Sequence, residues 1–157
     1  MGQQQLLLVI LVTILVGIAT VVALNVFGTA AESGNRDAVR QDLIQGASAA
    51  QAIWARPRSL GGVQGDFTED PPTDEEFARL IGIPGGINGL VITNENAQYT
   101  IERAEREVTI TAVPVTYADD IKITIERLTD PGDDGSAWLV ILDDEGATPI
   151  TLSGGTE

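Results

Sequence analysis

Hydrophobic residues follow three successive patterns along this chain of 157 residues. The first is an unbroken apolar run at residues 6–27, which contains no charged residue and no proline. As an α-helix, this run would extend for about 33 Å, the thickness of the hydrocarbon core of a bilayer. We therefore expect residues 1–28 to form an apolar helix that can cross a membrane. The alternative is a secretory signal peptide, against which residues 1–5 carry no basic residue.

The second pattern predicts an amphipathic helix at residues 29–55, which contain no proline and are rich in helix-forming residues. Apolar positions recur there at spacings of three and four, as expected for a helix that buries one face. Gly28, Ser33 and Gly34 mark the place where we expect the long helix to bend. The apolar stripe consists of Val39, Leu43, Ala47, Ala50 and Trp54, broadened by Ile44 and Ile53.

A loop and a short helix are predicted next. Pro57 disfavours helical geometry in the residue before it and so ends the long helix. Residues 57–73 are rich in glycine and proline and are expected to form a loop. Thr73 and Glu76 have the spacing of a capping box, which predicts a short helix that reaches about Ile81.

The third pattern, from residue 88 onward, has a period of two, which indicates β-strands. Ile121, Ile123 and Ile125 would share one face of a strand, with polar residues on the other. The connections are too short for crossover helices, which predicts an antiparallel sheet. Residues 138–142 are apolar on both faces and are predicted to form a central strand, and Pro114 is predicted to end a strand or lie at an edge. The predicted strands are 90–93, 98–103, 107–113, 121–128, 137–142 and 148–152.

Together the three patterns predict an α+β fold. A long N-terminal α-helix, hydrophobic in its first half and amphipathic in its second, would pack on a small antiparallel β-sheet. The expected organisation is an apolar helix at 1–28, an amphipathic helix at 29–55, and a globular domain of loop, short helix and sheet at 56–157.

Charge is distributed unevenly, with 23 acidic residues against nine basic ones and a net charge of −14. All of these side chains lie at or beyond Glu32. Nucleic acid binding requires clustered basic residues, whereas this chain has Lys122 and eight dispersed arginines, so no nucleic acid partner is expected. An acidic domain fits an extracellular or high-salt setting, and equally an ordinary secreted protein.

The chain contains neither cysteine nor histidine, which excludes thiol nucleophiles, Ser–His relays and Cys/His zinc sites within it. The acidic clusters at 119–120 and 143–145 are predicted to be solvated turns rather than catalytic carboxylate pairs. Residues 130–135 match a calcium loop poorly and are interpreted mainly as a turn, with a weak divalent site as the alternative. Residues 82–89 lack the features of a phosphate-binding loop and are expected to be a flexible loop. We therefore expect no enzyme activity, no cofactor and no metal.

An uncharged N-terminal helical segment that continues into an amphipathic helix across a small antiparallel sheet resembles the type IV pilin family, including related bacterial and archaeal filament subunits. The matching stretch is residues 2–54, about a third of the chain. Gly2, followed by Gln3 and the apolar run, is similar to a prepilin-peptidase site, with Gln3 as the first mature residue. Leu7 stands at the fifth mature position, where such pilins commonly carry glutamate. Residues 1–5 contain no basic residue of the kind expected in a leader, and the paired cysteines of many pilins are missing.

This resemblance implies a structural subunit that polymerises through its N-terminal helix into an extracellular, type IV pilus-like filament. Its partners would be other copies of itself, the membrane before assembly, the pilus assembly machinery and the prepilin peptidase. It would reside in the inner or cytoplasmic membrane before assembly and then in a filament on the cell surface. Arg36 and Arg40 follow the apolar run and, by the positive-inside rule, oppose this orientation. The alternative is a monomeric bitopic protein whose domain binds something at the membrane surface, and adhesion, motility, DNA uptake and secretion all stay open.

The apolar run also suggests which face would mediate assembly. Thr13, Gly17 and Thr20 share one helix face with Leu24, where neighbouring backbones could approach closely and threonine hydroxyls could find acceptors. The alternative is that these residues merely tolerate lipid. The candidate assembly interface consists of Leu6, Leu7, Ile10, Thr13, Ile14, Gly17, Thr20, Val21 and Leu24.

Overall fold

The computed structural model describes residues 2–70, 72–116, 119–129, 137–144 and 148–153. They form one long helix, a short second helix, a turn of 3₁₀ helix and an antiparallel sheet, which confirms the predicted α+β fold. The chain divides into two compact units, Met1–Gly34 and Asn35–Glu157. Below, the second unit is called the head, and residues 6–27 are called the apolar segment.

Helix α1, Gly2–Ala55, contains both predicted helical parts. Residues 28–34, where a bend was expected, are helical throughout. Within the head, α1 buries one stripe, as its spacing predicted. Ile44 was wrongly included in that stripe, because its side chain is 44 % exposed, and Trp54 is only partly buried. The buried residues of α1 are Val39, Leu43, Gly46, Ala47, Ala50 and Ile53.

Helix α2, Asp74–Ile81, begins with the predicted capping box. The Glu76 amide donates to the Thr73 hydroxyl at 3.4 Å, and the Thr73 amide donates to Glu76 Oε2 at 3.0 Å. The helix ends at Gly82, whose φ of +76° lies in the left-handed region that glycine adopts without steric strain. Both ends of α2 therefore follow from local sequence. A 3₁₀ turn, Arg58–Leu60, lies in the loop before α2.

Seven strands form one sheet in which the spatial order equals the chain order. Every neighbouring pair is antiparallel, as the short connections predicted. The strands are β1 Gly86–Asn88, β2 Val91–Thr93, β3 Ala97–Arg103, β4 Glu107–Pro114, β5 Ile121–Arg127, β6 Trp138–Asp144 and β7 Ile150–Ser153.

The sheet departs from the sequence predictions in two places. Part of the stretch expected to be a flexible loop forms the edge strand β1, which pairs with β2. Strand β6 is not central but next to the edge strand β7, so that its outward-facing Leu139 and Ile141 are only partly buried. Pro114 ends β4, as predicted.

The core lies between α1 of the head and one face of the sheet, called the inner face. Ile101, Ile110, Ile123 and Leu142 are paired across β3 to β6 and form a continuous apolar row on this face. Gly46 brings the helix close to that row, because a Cβ atom at this position would lie 2.9 Å from Ile110 Cδ1. A side chain at this position would force Ile110 to shift, so glycine allows the close packing of α1 on the sheet.

An ion cluster joins the start of the head to the end of β6. Asp144 is 3 % exposed and lies on the inner face, where the Nε atoms of Arg36 and Arg40 donate to Oδ2 at 2.8 and 2.9 Å. Burial opposes ionisation of Asp144, but the hydrogen bonds and charges of both arginines outweigh it and hold the pKa of this carboxyl below its ordinary value. The prediction that residues 143–145 are a solvated turn was therefore wrong for Asp144.

A second polar contact holds the middle of α1 to the sheet. Tyr99 Oη donates to Asp42 Oδ2 at 2.6 Å, and Asn94 Nδ2 donates to the same oxygen at 3.3 Å. Burial, the hydrogen bond and the Asp42 charge together raise the pKa of Tyr99 well above its ordinary value. The phenol therefore stays protonated and remains a hydrogen-bond donor at any physiological pH.

Candidate assembly interface

The nine residues predicted to mediate assembly lie together on the apolar segment. At about 100° per residue, they occupy a sector of about 140° of the α1 circumference. None is buried by the rest of the chain, with exposures from 52 % at Ile10 to 70 % at Leu7 among the large side chains. The structure thus places them on one accessible face.

The threonine hydroxyls on this face are already hydrogen bonded within the helix. Thr13 Oγ1 donates to the Val9 carbonyl oxygen at 2.7 Å, and Thr20 Oγ1 donates to the Val16 carbonyl oxygen at 2.8 Å. We expected that these hydroxyls could find acceptors on a neighbouring helix, and within the chain each one already has an acceptor in its own helix. Because each hydroxyl is turned back to its own backbone, the face can lose water or lipid contact without leaving a donor unpaired.

Gly17 lies between the two threonines and leaves space on the helix surface. Apart from its two chain neighbours and the backbone of the surrounding helix turns, no atom lies within 4 Å of the position that a Cβ atom would take there. A small residue flanked by threonines is the kind of site at which a second helix can approach closely. The processing candidates Gly2 and Gln3 are the first two residues of α1, and both are exposed.

Exposure is not limited to the predicted face. Sixteen of the 22 exposed large hydrophobic side chains that the structure describes belong to the apolar segment, around its whole circumference. By length and composition, α1 can cross a membrane. So large a contiguous apolar surface is typical of a site that contacts a membrane or another protein.

The carboxylates of the second acidic cluster are divided between the two faces of the sheet. Asp143 is exposed on the face of the sheet that points away from α1, where it is the cross-strand partner of Lys122. Asp144 lies on the inner face and contacts Arg36 and Arg40, so these two carboxylates do not share a site. Among the residues described, no three Asp or Glu side chains converge to hold a metal ion. The calcium-loop candidate at 130–135 lies outside the described residues.

Comparisons with protein-family models, curated proteins and solved structures found no match for this chain. A functional assignment therefore depends on the residues and geometry described above.

Proposed function

We propose that this protein is a structural subunit that polymerises through its apolar segment into an extracellular, type IV pilus-like filament, after a stage in the membrane. One observation carries the proposal: the apolar segment is exposed around its whole circumference, while the same helix, α1, supplies one side of the head's core. A helix that is hydrophobic all round must be buried by lipid or by other protein. A bundle of identical segments satisfies this requirement.

The energetics favour two successive environments for the apolar segment. Burying the 17 aliphatic side chains of the segment away from water is worth tens of kcal/mol at about 25 cal/mol per Å². Lipid satisfies this demand as well as protein does, so a monomer is stable in the membrane and assembly depends on close packing between helices. The Thr13–Gly17–Thr20 face supplies small side chains with internally satisfied hydroxyls for that packing.

The head supports a structural role because its core is complete within the second compact unit. The buried stripe of α1, the inner face of the sheet and α2 form one hydrophobic cluster. The apolar segment contributes no residue to it. It is therefore available for packing with other copies without disturbing the head.

The direct test is to shear the surface of cells that express the chain and examine the released material by negative-stain electron microscopy, with mass spectrometry to identify its protein. We expect filaments that contain this chain and stay assembled in water. Recovery of the protein only as detergent-dependent monomers from the membrane would overturn the proposal and favour the monomeric surface-binding protein.

A pair of variants separates filament packing from membrane insertion. Replacing both Thr13 and Thr20 by leucine raises the hydrophobicity of the segment, so insertion should be unimpaired. In a close-packed bundle the added volume should cost about 1–3 kcal/mol per site and sharply reduce the filament yield.

The matched control replaces both threonines by valine, which keeps their shape and removes only hydroxyls that bond within the helix. We expect this variant to assemble. Full assembly of the leucine variant would remove the Thr13–Gly17–Thr20 face from the interface.

A further inference from the structure

From residue 41 to residue 55, after the exposed Asp37, the solvent side of α1 carries no charge. This surface, called the outer face of α1, is accessible to solvent at every position. Asp42 is the one charged residue between Arg40 and Arg56, and it is turned to the sheet, where Tyr99 and Asn94 donate to it. The outer face consists of Gln41, Ile44, Gln45, Ser48, Ala52 and Ala55.

Such a surface is unusual for this protein. Charged residues make up 32 of the 126 residues from Glu32 to the end of the chain, about a quarter. Helix α2, the other surface helix described, carries four charged residues among its eight. By that standard, the 15 residues from 41 to 55 should expose several charges, whereas their exposed positions hold none.

Polar groups on the outer face are partly satisfied within the chain. Ser48 Oγ donates to the Ile44 carbonyl oxygen at 3.0 Å, and Gln45 Nε2 donates to the Gly82 carbonyl oxygen at 2.9 Å. Removing a charge or an unpaired polar group from water is costly, whereas a group that keeps its hydrogen bond loses little. The outer face can therefore be covered at low desolvation cost.

We propose that the outer face of α1 packs against a second copy of this chain. The inference rests on the proposed function and extends the subunit contact from the apolar segment to the head. Copies that each carry a net charge of −14 repel one another, so they can pack closely where neither has to bury a charge. Lipid fits the face less well, because Ile44 is its single large apolar side chain and the glutamines need hydrogen-bond partners.

Site-specific photo-crosslinking tests this contact in assembled filaments. The chain has no cysteine, so Ser48→Cys provides a unique site for a benzophenone maleimide. A Gln98→Cys variant, labelled in the same way on the exposed outer face of the sheet, is the matched control. After irradiation, we expect the probe at position 48 to give adducts at multiples of the chain mass, with few from position 98.

Charge insertion tests the same face by a second route. Ser48→Glu and Ser48→Lys should each lower the filament yield about tenfold, since either sign of charge would have to be desolvated. Gln98→Glu and Gln98→Lys should change the yield by less than about twofold. If only the net charge mattered, the lysine variant would instead assemble better than the parent chain.

The outcomes separate this inference from the proposed function. Filaments that form normally but give no chain-to-chain adduct from position 48, or adducts only with lipid or with a different protein, would overturn the contact and leave the filament proposal standing. Absence of filaments from the parent chain would overturn the proposed function and this contact with it. Tryptophan fluorescence of Trp54 and Trp138, which both lie in the head, checks that each variant is folded.

Discussion

Two stretches of α1, residues 6–27 and residues 39–53, differ in how much of their apolar surface is buried by the rest of the chain. Both are rich in apolar side chains, yet the first exposes every large one, whereas the second buries a single stripe against the sheet. The difference follows from the pattern of polar residues. An amphipathic stretch has a defined side to bury and finds a partner within its own chain, whereas a stretch that is apolar all round needs a partner from outside.

The largest expected difference between the two stretches is in their contribution to the stability of the head. Leu43 is fully buried, so Leu43→Ala should lower the free energy of unfolding by about 2–5 kcal/mol. Leu15 in the apolar segment is 64 % exposed, so Leu15→Ala should change it by less than about 0.5 kcal/mol. Urea unfolding of the full chain in detergent, followed by tryptophan fluorescence, measures both. A similar loss in both variants would show that the head depends on the apolar segment.

The ion cluster at the start of the head should have the next largest effect. Asp144→Asn removes the carboxylate that Arg36 and Arg40 share. Because both arginines are partly exposed and Arg40 also pairs with Asp37 at 3.9 Å, the expected loss is about 2–3 kcal/mol. Asp143→Asn, at the adjacent exposed position, is the control and should cost less than about 0.5 kcal/mol.

Acid pH offers an independent measurement of the same cluster. The folded head lowers the pKa of Asp144 below its ordinary value of 3.8, so the ionised form is favoured by folding. The stabilisation is therefore complete above pH values near 4 and is lost as the pH falls through the folded-state pKa. Between pH 5 and the acid range, the parent chain should lose more stability than Asp144→Asn. Parallel pH profiles for the two chains would argue against this ion cluster.

The smallest effect concerns the contact between the middle of α1 and β3. Tyr99→Phe keeps the buried ring and removes the hydrogen bond to Asp42, which retains Asn94 as a donor. We expect a loss of about 1 kcal/mol in the free energy of unfolding. The same substitution in an Asp42→Asn background should cost less, because the charge that strengthens the hydrogen bond is then absent. Equal losses in both backgrounds would mean that Tyr99 acts by packing alone.

The candidate assembly face was accessible to sequence reasoning because it depends on helical spacing alone. Thr13, Gly17 and Thr20 fall on one face of any α-helix, whatever the rest of the chain does. The internal hydrogen bonds of the threonines needed the structure. The sequence already shows that residues 43–55 contain no charged residue. Which of those residues belong to the exposed outer face of α1 depends on the position of the sheet.

By itself, the sequence determined the features that arise within a few residues of one another. Among them are the two helices, the capping box at Thr73, the strand periodicity and the antiparallel pairing implied by short connections. These follow from backbone geometry and side-chain spacing, which act locally.

Only the tertiary structure decided which of these features meet. In the structure, β6 lies beside an edge strand and Gly86–Asn88 forms a seventh strand. The Ile44 side chain is exposed, and Asp144 pairs with two arginines more than 100 residues away. Alternation along β6 puts Asp144 on the same face as Val140 and Leu142. Its carboxylate can be buried there because Arg36 and Arg40 of α1 donate hydrogen bonds to it. Pairings of this kind depend on contacts between residues that are far apart in the chain, and local periodicity does not specify such contacts.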